Sequence, residues 1–205
     1  LAGFASLLAF LFYLQRADVL LYGDAVAHIN ISRKVFDSQT PGLLQLGTVW
    51  LPLPHLLMLP FLLSNWMWKT GIGGSVPSML AYVFLVSGVF RLVRGALPRN
   101  ADGSELANGS AWMAAAIVGL NPNLLYLQST AMTEVVYLTF FLWTIVFFAE
   151  FTRALGDEDG LGVSARLKLI RCAWCVAAAE WTRYDGWFLA AIVSLLLIGR
   201  RKVKG

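Results

Sequence analysis

The sequence predicts an all-α, polytopic membrane protein, on observations of composition and charge. Of the 205 residues, 58% are hydrophobic and only 14% are charged, whereas soluble domains average about 25% charged residues. Trp and Phe are abundant, with 8 and 13 copies. The basic residues cluster within 91–99, 153–171 and 200–204, as they do in cytoplasmic loops. Because the net charge of +4 comes from these clusters, a nucleic-acid partner is not indicated.

Apolar segments alternate with short polar loops, which predicts about six transmembrane helices. Residues 24–38 have helical periodicity, with Asp24 and His28 on one face. Residues 50–68 are apolar but contain prolines, which remove backbone donors that lipid cannot replace. We therefore expect two interfacial helices in a first outer loop, residues 16–75. The expected spans are 1–14, 76–92, 111–127 with a kink at Asn121–Pro122, 134–151, 167–181 and 187–198.

The basic clusters decide the predicted topology. If residues 50–68 crossed the membrane, the cluster within 91–99 would lie on the same side as Asp24. If they stay at the interface, Asp24 faces outside and every basic cluster faces the cytoplasm, as the positive-inside rule requires. The prediction is a bacterial inner-membrane protein whose outer face gathers polar residues from several helix ends. This outer set is Asp24, His28, His55, Gln128, Thr133, Glu134, Glu180, Arg183, Tyr184 and Asp185.

Members of the outer set also have purely structural interpretations. Asp24 is placed to cap a helix, and Glu134 is placed to match a helix dipole. Glu180 has the spacing to pair with Arg183 or Tyr184. Arg183 and Asp185 together can tie down a turn, and a histidine such as His55 can bond a backbone carbonyl.

The chain has two cysteines, Cys172 and Cys175. This spacing binds metal or cycles redox in some proteins, but a zinc site needs a second pair of ligands. Free cysteine behaves as a small hydrophobic residue, so helix packing is the favoured interpretation.

The order of the polar motifs resembles a known family. YGDAVAHI, LPLPHLL, NPNLLYLQSTAMTE and WTRYDGWF follow one another as in the N-terminal module of the GT-C glycosyltransferases, in the protein-O-mannosyltransferase and lipid A aminoarabinose transferase branch. The resemblance implies a single transmembrane module, 1–205, that forms the front part of a longer enzyme. It implies that Asp24 is the catalytic carboxylate and that His55 and Glu134 stand at family positions. One departure is Ala25, where the family has a second acid.

The resemblance implies transfer of a sugar from a polyprenyl-phosphate donor to an acceptor on the outer face, with inversion. Asp24 would act as general base. Arg183, or a divalent metal ion held by Asp24 and His28, would stabilise the charge on the departing phosphate. The expected substrate-binding residues are His28, His55, Glu134, Arg183, Tyr184 and Asp185.

The expected partners are membrane lipid, the polyprenyl-phosphate donor and an acceptor that the sequence does not identify. Two alternatives stay open. One is a structural or accessory transmembrane subunit of a larger membrane complex, without catalysis. The other is part of a transporter or channel, although the chain shows no internal repeat of the kind on which many transporters are built.

Overall fold

The computed structural model of the chain describes residues 1–46, 49–97, 104–157 and 162–203. Within these ranges every regular element is helical, so the all-α prediction is confirmed. Two 3-10 turns, Asp18–Leu20 and Leu43–Gln45, accompany ten α-helices. The helices are α1 (Ala2–Gln15), α2 (Gly23–Lys34), α3 (Pro52–Leu62), α4 (Asn65–Lys69), α5 (Ile72–Ala96), α6 (Ser104–Gly119), α7 (Pro122–Gln128), α8 (Glu134–Asp157), α9 (Val163–Thr182) and α10 (Asp185–Val203).

Two of the described helices are long and apolar enough to cross a membrane. These are α5, with 25 residues, and α8, over the 23 residues Glu134–Gly156, each with a mean hydropathy of 1.8. Shorter apolar helices are α1, α3 and the part of α10 that ends at Gly199. Length and composition therefore support two crossings, and the expectation of about six crossings stays a prediction.

The apolar stretch of residues 50–68 forms two helices. The hydroxyl of Ser64 separates them and caps α4 by accepting the Met67 N–H at 3.4 Å. α3 has 11 residues, and its length of about 16 Å is short of a roughly 30 Å hydrocarbon core. This supports an interfacial position for α3. The first loop nevertheless contains three short helices, α2, α3 and α4, where two were expected.

The expected span 111–127 is not one kinked helix. α6 ends at Gly119, and α7 begins after Asn121, whose side-chain oxygen accepts the backbone N–H groups of Asn123 and Leu124 at 3.0 and 3.1 Å. Pro122 occupies the first turn of α7, where its missing N–H has no helical partner to lose. The Asn-Pro pair therefore starts a new helix, and the kink prediction was wrong.

The long helices α5 and α8 run parallel to each other. Near one end, the Thr139 hydroxyl donates to the Ala81 carbonyl at 2.8 Å; near the other, Arg91 binds Glu150 through two hydrogen bonds of 2.6 and 2.9 Å. α6 and α9 return in the opposite direction, so the N-terminal ends of α5, α8 and α10 lie at the same end of the bundle as the first-loop helices. The opposite end carries Arg91 and the basic residues Arg94 and Arg153; Arg99 and Lys204 lie outside the described residues.

α2 packs closely on the first turn of α5, at Gly74. A Cβ added to Gly74 would lie 2.6 Å from the Cβ of Ala131 and 2.6 Å from Cγ1 of Ile29. Contacts this short do not occur between non-bonded carbon atoms, so only a glycine at position 74 allows Ile29 and Ala131 to come this close to α5. Ile29 and Ala131 are both buried, and the point where α2, α5 and the segment before α8 meet therefore depends on Gly74.

Arg33 fastens α2 to the end of α3. Its Nη1 donates to the carbonyl of Leu62 at 2.6 Å, one of the orphan carbonyls that every helix C-terminus leaves. The guanidinium also lies 5.1 Å from the ring centre of Trp68 and pairs with Asp37 at 3.2 Å. This arrangement fixes α3 and α4 relative to α2.

Gln128 is a structural residue and not part of the outer set. Its side chain is completely buried; Oε1 accepts the Ser6 hydroxyl at 2.7 Å, and Nε2 donates to the Ser6 carbonyl at 3.2 Å. Both halves of the amide are satisfied, and they join α1 to α7. The prediction that Gln128 contributes to an outer polar site was wrong.

We expect Gly74→Ala to lower the stability of the protein by about 1–3 kcal/mol, because the added methyl group overpacks a buried contact. Gly109, in α6, is the matched control, since a Cβ there meets nothing within 4 Å. Gly109→Ala should stabilise by about 0.5–1 kcal/mol through helix propensity. Thermal unfolding in detergent measures both changes, and equal effects of the two substitutions would contradict the packing argument.

Candidate functional site

Arg183 organises the polar groups at one end of the bundle, in the turn between α9 and α10. Its Nη1 donates to Glu134 Oε1 at 2.9 Å and to the Thr133 hydroxyl at 3.3 Å. Its Nε donates to Asp185 Oδ2 at 3.1 Å. One guanidinium therefore lies between two carboxylates, and the predicted turn contact between Arg183 and Asp185 is confirmed.

One of the two carboxylate oxygens of Glu134 takes no part in the hydrogen bond with Arg183. The residue lies in the first turn of α8, where an acid matches the helix dipole, so that structural interpretation also holds. Its Oε2 is buried and has no hydrogen-bond partner among the described residues. A buried carboxylate oxygen without a donor is unfavourable, and it can accept a hydrogen bond from a ligand hydroxyl or ammonium group.

Tyr184 joins this turn to the first loop. Its hydroxyl donates to the carbonyl of Val49 at 3.2 Å, while most of its ring is exposed. The hydroxyl is therefore occupied by a backbone contact, and the exposed ring face is the part of Tyr184 that can meet a substrate. Glu180, which has the spacing to pair with Arg183, is not its partner, because the guanidinium bonds to Glu134 and Asp185 instead.

The two histidines of the chain contact each other. His28 Nδ1 and His55 Nε2 are 2.9 Å apart, a hydrogen-bond distance. The side chains are buried, with 2% and 0% of their residue surfaces exposed, and the ring of Trp50 lies 4.7 Å from that of His28. The pair thus joins α2 to α3 at their buried faces.

Burial holds both histidines neutral. Desolvation lowers the pKa of His28 from 6.5 to about 4; His55 and Arg183 also lower it, whereas Asp24 raises it. Desolvation likewise lowers the pKa of His55 to about 4, and the backbone carbonyl of Leu51 opposes that shift. A desolvated imidazole disfavours its cation, so neither ring carries a charge at pH 7.

Asp24 lies in the first turn of α2, four residues before His28 and on the same helical face. Tyr22 occupies the N-cap position, and no side-chain bond caps the helix, so the interpretation of Asp24 as a cap was wrong. The side chain is exposed. The charges of Asp24 and Arg183 act on the His28 imidazole in opposite directions: Asp24 raises its pKa and Arg183 lowers it.

The metal ion expected at Asp24 and His28 stays a prediction. No group of three or more His, Cys, Asp or Glu side chains is placed to hold an ion in the part of the chain that the structure describes. The two residues expected to bind a metal are Asp24 and His28. Because Nδ1 of His28 bonds to His55, the groups that remain for a metal are the Asp24 carboxylate and Nε2 of His28. Catalytic zinc sites use three protein ligands, and this pair does not supply them.

The two cysteines are buried or half-buried in α9. Cys172 Sγ lies 3.6 Å from the Thr144 carbonyl of α8, which is a helix-packing contact, as the sequence favoured.

Comparison with known proteins finds no relative of the chain. No family model, curated protein or solved structure matches the chain. The resemblance to the GT-C glycosyltransferases therefore stays a prediction, and the site has to be interpreted from its own geometry.

The sequence predicted that these polar residues lie at one end of the bundle but missed how they pair. Asp24, His28 and Arg183 lie at that end, and Arg183 binds Glu134 and Asp185. The contact between His28 and His55 was missed, as was Trp50 beside it. The sequence contained one weak indication of the contact between the histidines: each histidine lies on the buried face of a short amphipathic or apolar helix.

The histidine pair makes stability depend on pH in a defined window. Because the folded-state pKa values of about 4 lie below the ordinary 6.5, the unfolded chain binds protons that the folded chain does not as pH falls from 6.5 to 4. The stabilisation is complete above pH 6.5 and is lost towards pH 4, by on the order of 3 kcal/mol per histidine.

Thermal unfolding between pH 7 and pH 4 should therefore show a steeper fall for the wild type than for the double variant His28→Gln/His55→Gln. The variant keeps hydrogen-bonding amides but does not titrate. The carboxylates titrate equally in both proteins, so the difference isolates the pair. Identical slopes would show that the histidines are not held neutral by the fold.

Proposed function

We propose that the chain is an integral membrane glycosyltransferase module of the GT-C type. It would move a sugar from a polyprenyl-phosphate donor to an acceptor on the outer face of a bacterial inner membrane. The observation that carries the proposal is the exposed carboxylate of Asp24 on a short helix, grouped with His28 and Arg183 at the bundle end where α8 and α10 begin. An exposed acid and a cation at the same end of the bundle suit phosphate-linked sugar transfer.

The proposed membrane arrangement has about six crossings and an interfacial first loop. α5 and α8 have sufficient length on their own, whereas α1, α6 with α7, α9 and α10 would cross with help from flanking residues. The arginines at the end opposite to Asp24, with Arg91 and Arg153 among them, support a cytoplasmic position for that end.

An apolar cleft of about 540 Å³ lies between α3, α5, α8 and α9. It begins near Pro77 and Val136, two residues from Glu134, and extends to Phe147. Eleven residues of helix separate Val136 from Phe147, a rise of about 16 Å. The cleft therefore starts beside the polar site and continues into the depth of the bundle, which suits a lipid tail whose phosphate stays near Arg183. Its remaining lining residues are Leu57, Phe61, Leu80, Ala81, Phe84, Thr139, Phe140, Trp143 and Cys175.

The chemistry is a single displacement. Asp24 accepts the proton of the acceptor hydroxyl, whose oxygen forms a bond to the anomeric carbon of the sugar. The bond from that carbon to the phosphate oxygen breaks, and its electron pair leaves on the polyprenyl phosphate. Arg183 offers Nη2, which has no partner among the described residues, to the charge that develops on this phosphate. Attack opposite to the leaving group inverts the anomeric configuration.

A structural or accessory role in a larger membrane complex is the second candidate. One observation favours it: the Asp24 side chain has no hydrogen-bond partner in the described ranges to orient it, whereas catalytic bases are usually held by a neighbour. A tight partner retained on mild detergent extraction, together with an absence of sugar transfer by the purified complex, would support this role.

We expect Asp24→Asn to abolish sugar transfer, because the amide cannot accept the proton, while expression and thermal stability stay unchanged. The assay uses proteoliposomes, polyprenyl-phosphate mannose or polyprenyl-phosphate aminoarabinose as donor, and an extract of bacterial membranes as acceptor source. Release of polyprenyl phosphate measures turnover. The loss should be about a hundredfold or more.

Asp37→Asn is the matched control for Asp24→Asn. Asp37 follows the same helix and is exposed, with a surface salt bridge to Arg33 of a type that contributes little. It should retain nearly full activity. Full activity of Asp24→Asn would refute the assignment of Asp24 as base, and failure of the wild type with both donors would refute the proposed pair of donor sugars.

Cysteine labelling in intact cells tests the topology. With Cys172 and Cys175 replaced by alanine, a cysteine at Leu44, whose residue surface is 99% exposed, should react with a membrane-impermeant maleimide added outside. A cysteine at Glu105, at the start of α6 and also exposed, should react only after the membrane is permeabilised. Labelling of both positions from outside would contradict the proposed crossing of α5.

A further inference from the structure

A second apolar groove, of about 590 Å³, lies between α1, α5 and α6. It is separate from the cleft beside α8, because neighbouring residues of α5 face different sides: Ala81 lines that cleft, whereas Tyr82 and Val83 line this groove. Small residues on the other two helices leave the space open, among them Gly3 on α1 and Ala116 on α6. The groove is therefore a distinct feature of the fold, and the proposed function does not use it.

The hydroxyl groups in the groove already have hydrogen-bond partners. The Tyr82 hydroxyl donates to the Gly119 carbonyl at 2.5 Å, and the Ser87 hydroxyl donates to the Val83 carbonyl of its own helix at 2.7 Å. The other lining side chains are aliphatic or aromatic. An apolar space of this size, if left empty, would forfeit the dispersion contacts of its lining. In a bilayer, the apolar molecules that can fill it are lipid chains.

One end of the groove carries two aromatic rings and then a charge. Phe90 and Trp112 both line the groove, and their ring centres are 4.9 Å apart. Arg94 lies one turn after Phe90 on α5, and its Nε donates to the side-chain oxygen of Asn108, which lies one turn before Trp112 on α6. Residues four apart share a helix face. The Arg94–Asn108 pair therefore lies at the mouth of the groove, immediately beyond the two rings.

The order of the groups along the groove matches the order of the parts of a lipid. From Tyr82 to Phe90 the groove follows eight residues of helix, a rise of about 12 Å. Trp112, with 56% of its residue surface exposed, is of the residue type that lies at the headgroup level of a membrane. Arg94 comes next, and Arg153 donates to the backbone carbonyl of the residue after it at 2.6 Å. Two guanidinium groups thus lie at the same end of α5 as the mouth of the groove.

We propose that the groove binds an acyl chain of an anionic phospholipid, from the leaflet at the basic end of the bundle, and that Arg94 and Asn108 bind the phosphate of this lipid. A guanidinium binds phosphate oxygens strongly, and basic pockets between transmembrane helices bind anionic headgroups. Because the side-chain oxygen of Asn108 accepts from Arg94, its Nδ2 is left to donate to the phosphate. The inference rests on the proposed position in a membrane and on no step of sugar transfer.

Native mass spectrometry of the protein released from lipid nanodiscs tests the proposed lipid. The nanodiscs contain phosphatidylglycerol and phosphatidylcholine in equal amounts and with the same acyl chains, so only the headgroups differ. We expect one phosphatidylglycerol per chain to stay bound after the other lipids have dissociated. Equal retention of the two lipids overturns the preference for an anionic headgroup, and retention of neither overturns the site.

Thermal unfolding in lipid-free detergent separates a lipid from a free phosphate. Added phosphatidylglycerol should raise the midpoint of unfolding, because it binds the folded protein, whereas inorganic phosphate at the same concentration should not. An equal rise with inorganic phosphate would show that the acyl chain does not contribute to binding, and this result overturns the groove as its site.

Ala116→Phe fills the groove, and Ile117→Phe is the matched control. Ala116 lines the groove and is exposed, so the added ring can occupy the space without entering the core. Ile117 is the next residue on α6; it is 68% exposed and does not line the groove. Ala116→Phe should lower the retention of phosphatidylglycerol about tenfold or more, since several methylene groups lose their contacts, and Ile117→Phe should leave it unchanged. Equal retention by the two variants contradicts binding in the groove.

Substitution of Arg94 tests the contact with the headgroup. Arg94→Gln removes the charge and should lower the retention of phosphatidylglycerol about tenfold, because a charge-assisted hydrogen bond is lost. Arg94→Lys keeps the charge and should restore most of the retention. If Arg94→Gln retains this lipid as well as the wild type does, Arg94 does not bind the phosphate.

A photoreactive phosphatidylglycerol locates the lipid in the wild-type protein, so this result does not depend on the folding of any variant. The lipid carries a diazirine near the end of one acyl chain. Crosslinks should form to the peptides of α5 and α6 that contain Tyr82, Val83 and Gly119, at the inner end of the groove. Crosslinks that are confined to α9 and α10 would place the lipid on another surface of the bundle and overturn the inference.

Discussion

Residues 129–133 form a non-helical break between α7 and α8, and the bundle depends on the hydrogen bonds that α5 donates to the backbone carbonyls of this break. All of these residues except the half-buried Met132 are buried. The carbonyls of Ser129 and Met132 therefore need partners from another element. The Ser75 hydroxyl donates to the Ser129 carbonyl at 2.8 Å, and the Ser78 hydroxyl donates to the Met132 carbonyl at 3.2 Å. In an apolar environment each unsatisfied carbonyl would cost several kcal/mol. The break ends at Thr133 and lets α8 begin at Glu134, and this places both residues within reach of Arg183.

The same turns of α5 bring the first loop to the site. Gly73 lies where a Cβ would meet Leu62 Cδ2 of α3 at 2.8 Å, and Gly74 lies where one would meet Ile29 of α2. Gly73, Gly74 and Ser75 are all small, so α2, α3 and the break before α8 all contact one short stretch of helix. This stretch of α5 therefore holds the first-loop helices next to the segment that precedes α8.

Local signals in the sequence predicted the long helices α5 and α8, because apolar length is a property of contiguous residues. They also placed Asp24 and His28 on one face. Pairings across the fold were not predictable in this way. Gln128 bonds to Ser6, which is 122 positions away, and His28 bonds to His55, which is 27 positions away; a polar residue in an apolar helix predicts that a partner exists but not which one it is. Asn121–Pro122 could not be interpreted from the sequence for a different reason. The pair is compatible both with a kink and with the start of a helix, and only the hydrogen bonds of Asn121 distinguish the two.

An arginine–glutamate ion pair lies near each end of α8, and the two pairs differ in geometry. At one end, Arg91 donates to both oxygens of Glu150, at 2.6 and 2.9 Å, so each oxygen of that carboxylate already has a donor. At the other end, Arg183 divides its donors between Glu134 and Asp185, so that Glu134 keeps Oε2 unpartnered among the described residues and Arg183 keeps Nη2. A closed bidentate pair joins helices, whereas a shared guanidinium with unused donors and acceptors remains able to bind. This difference in geometry is the physical reason to expect substrate at the end that also carries Asp24 and His28.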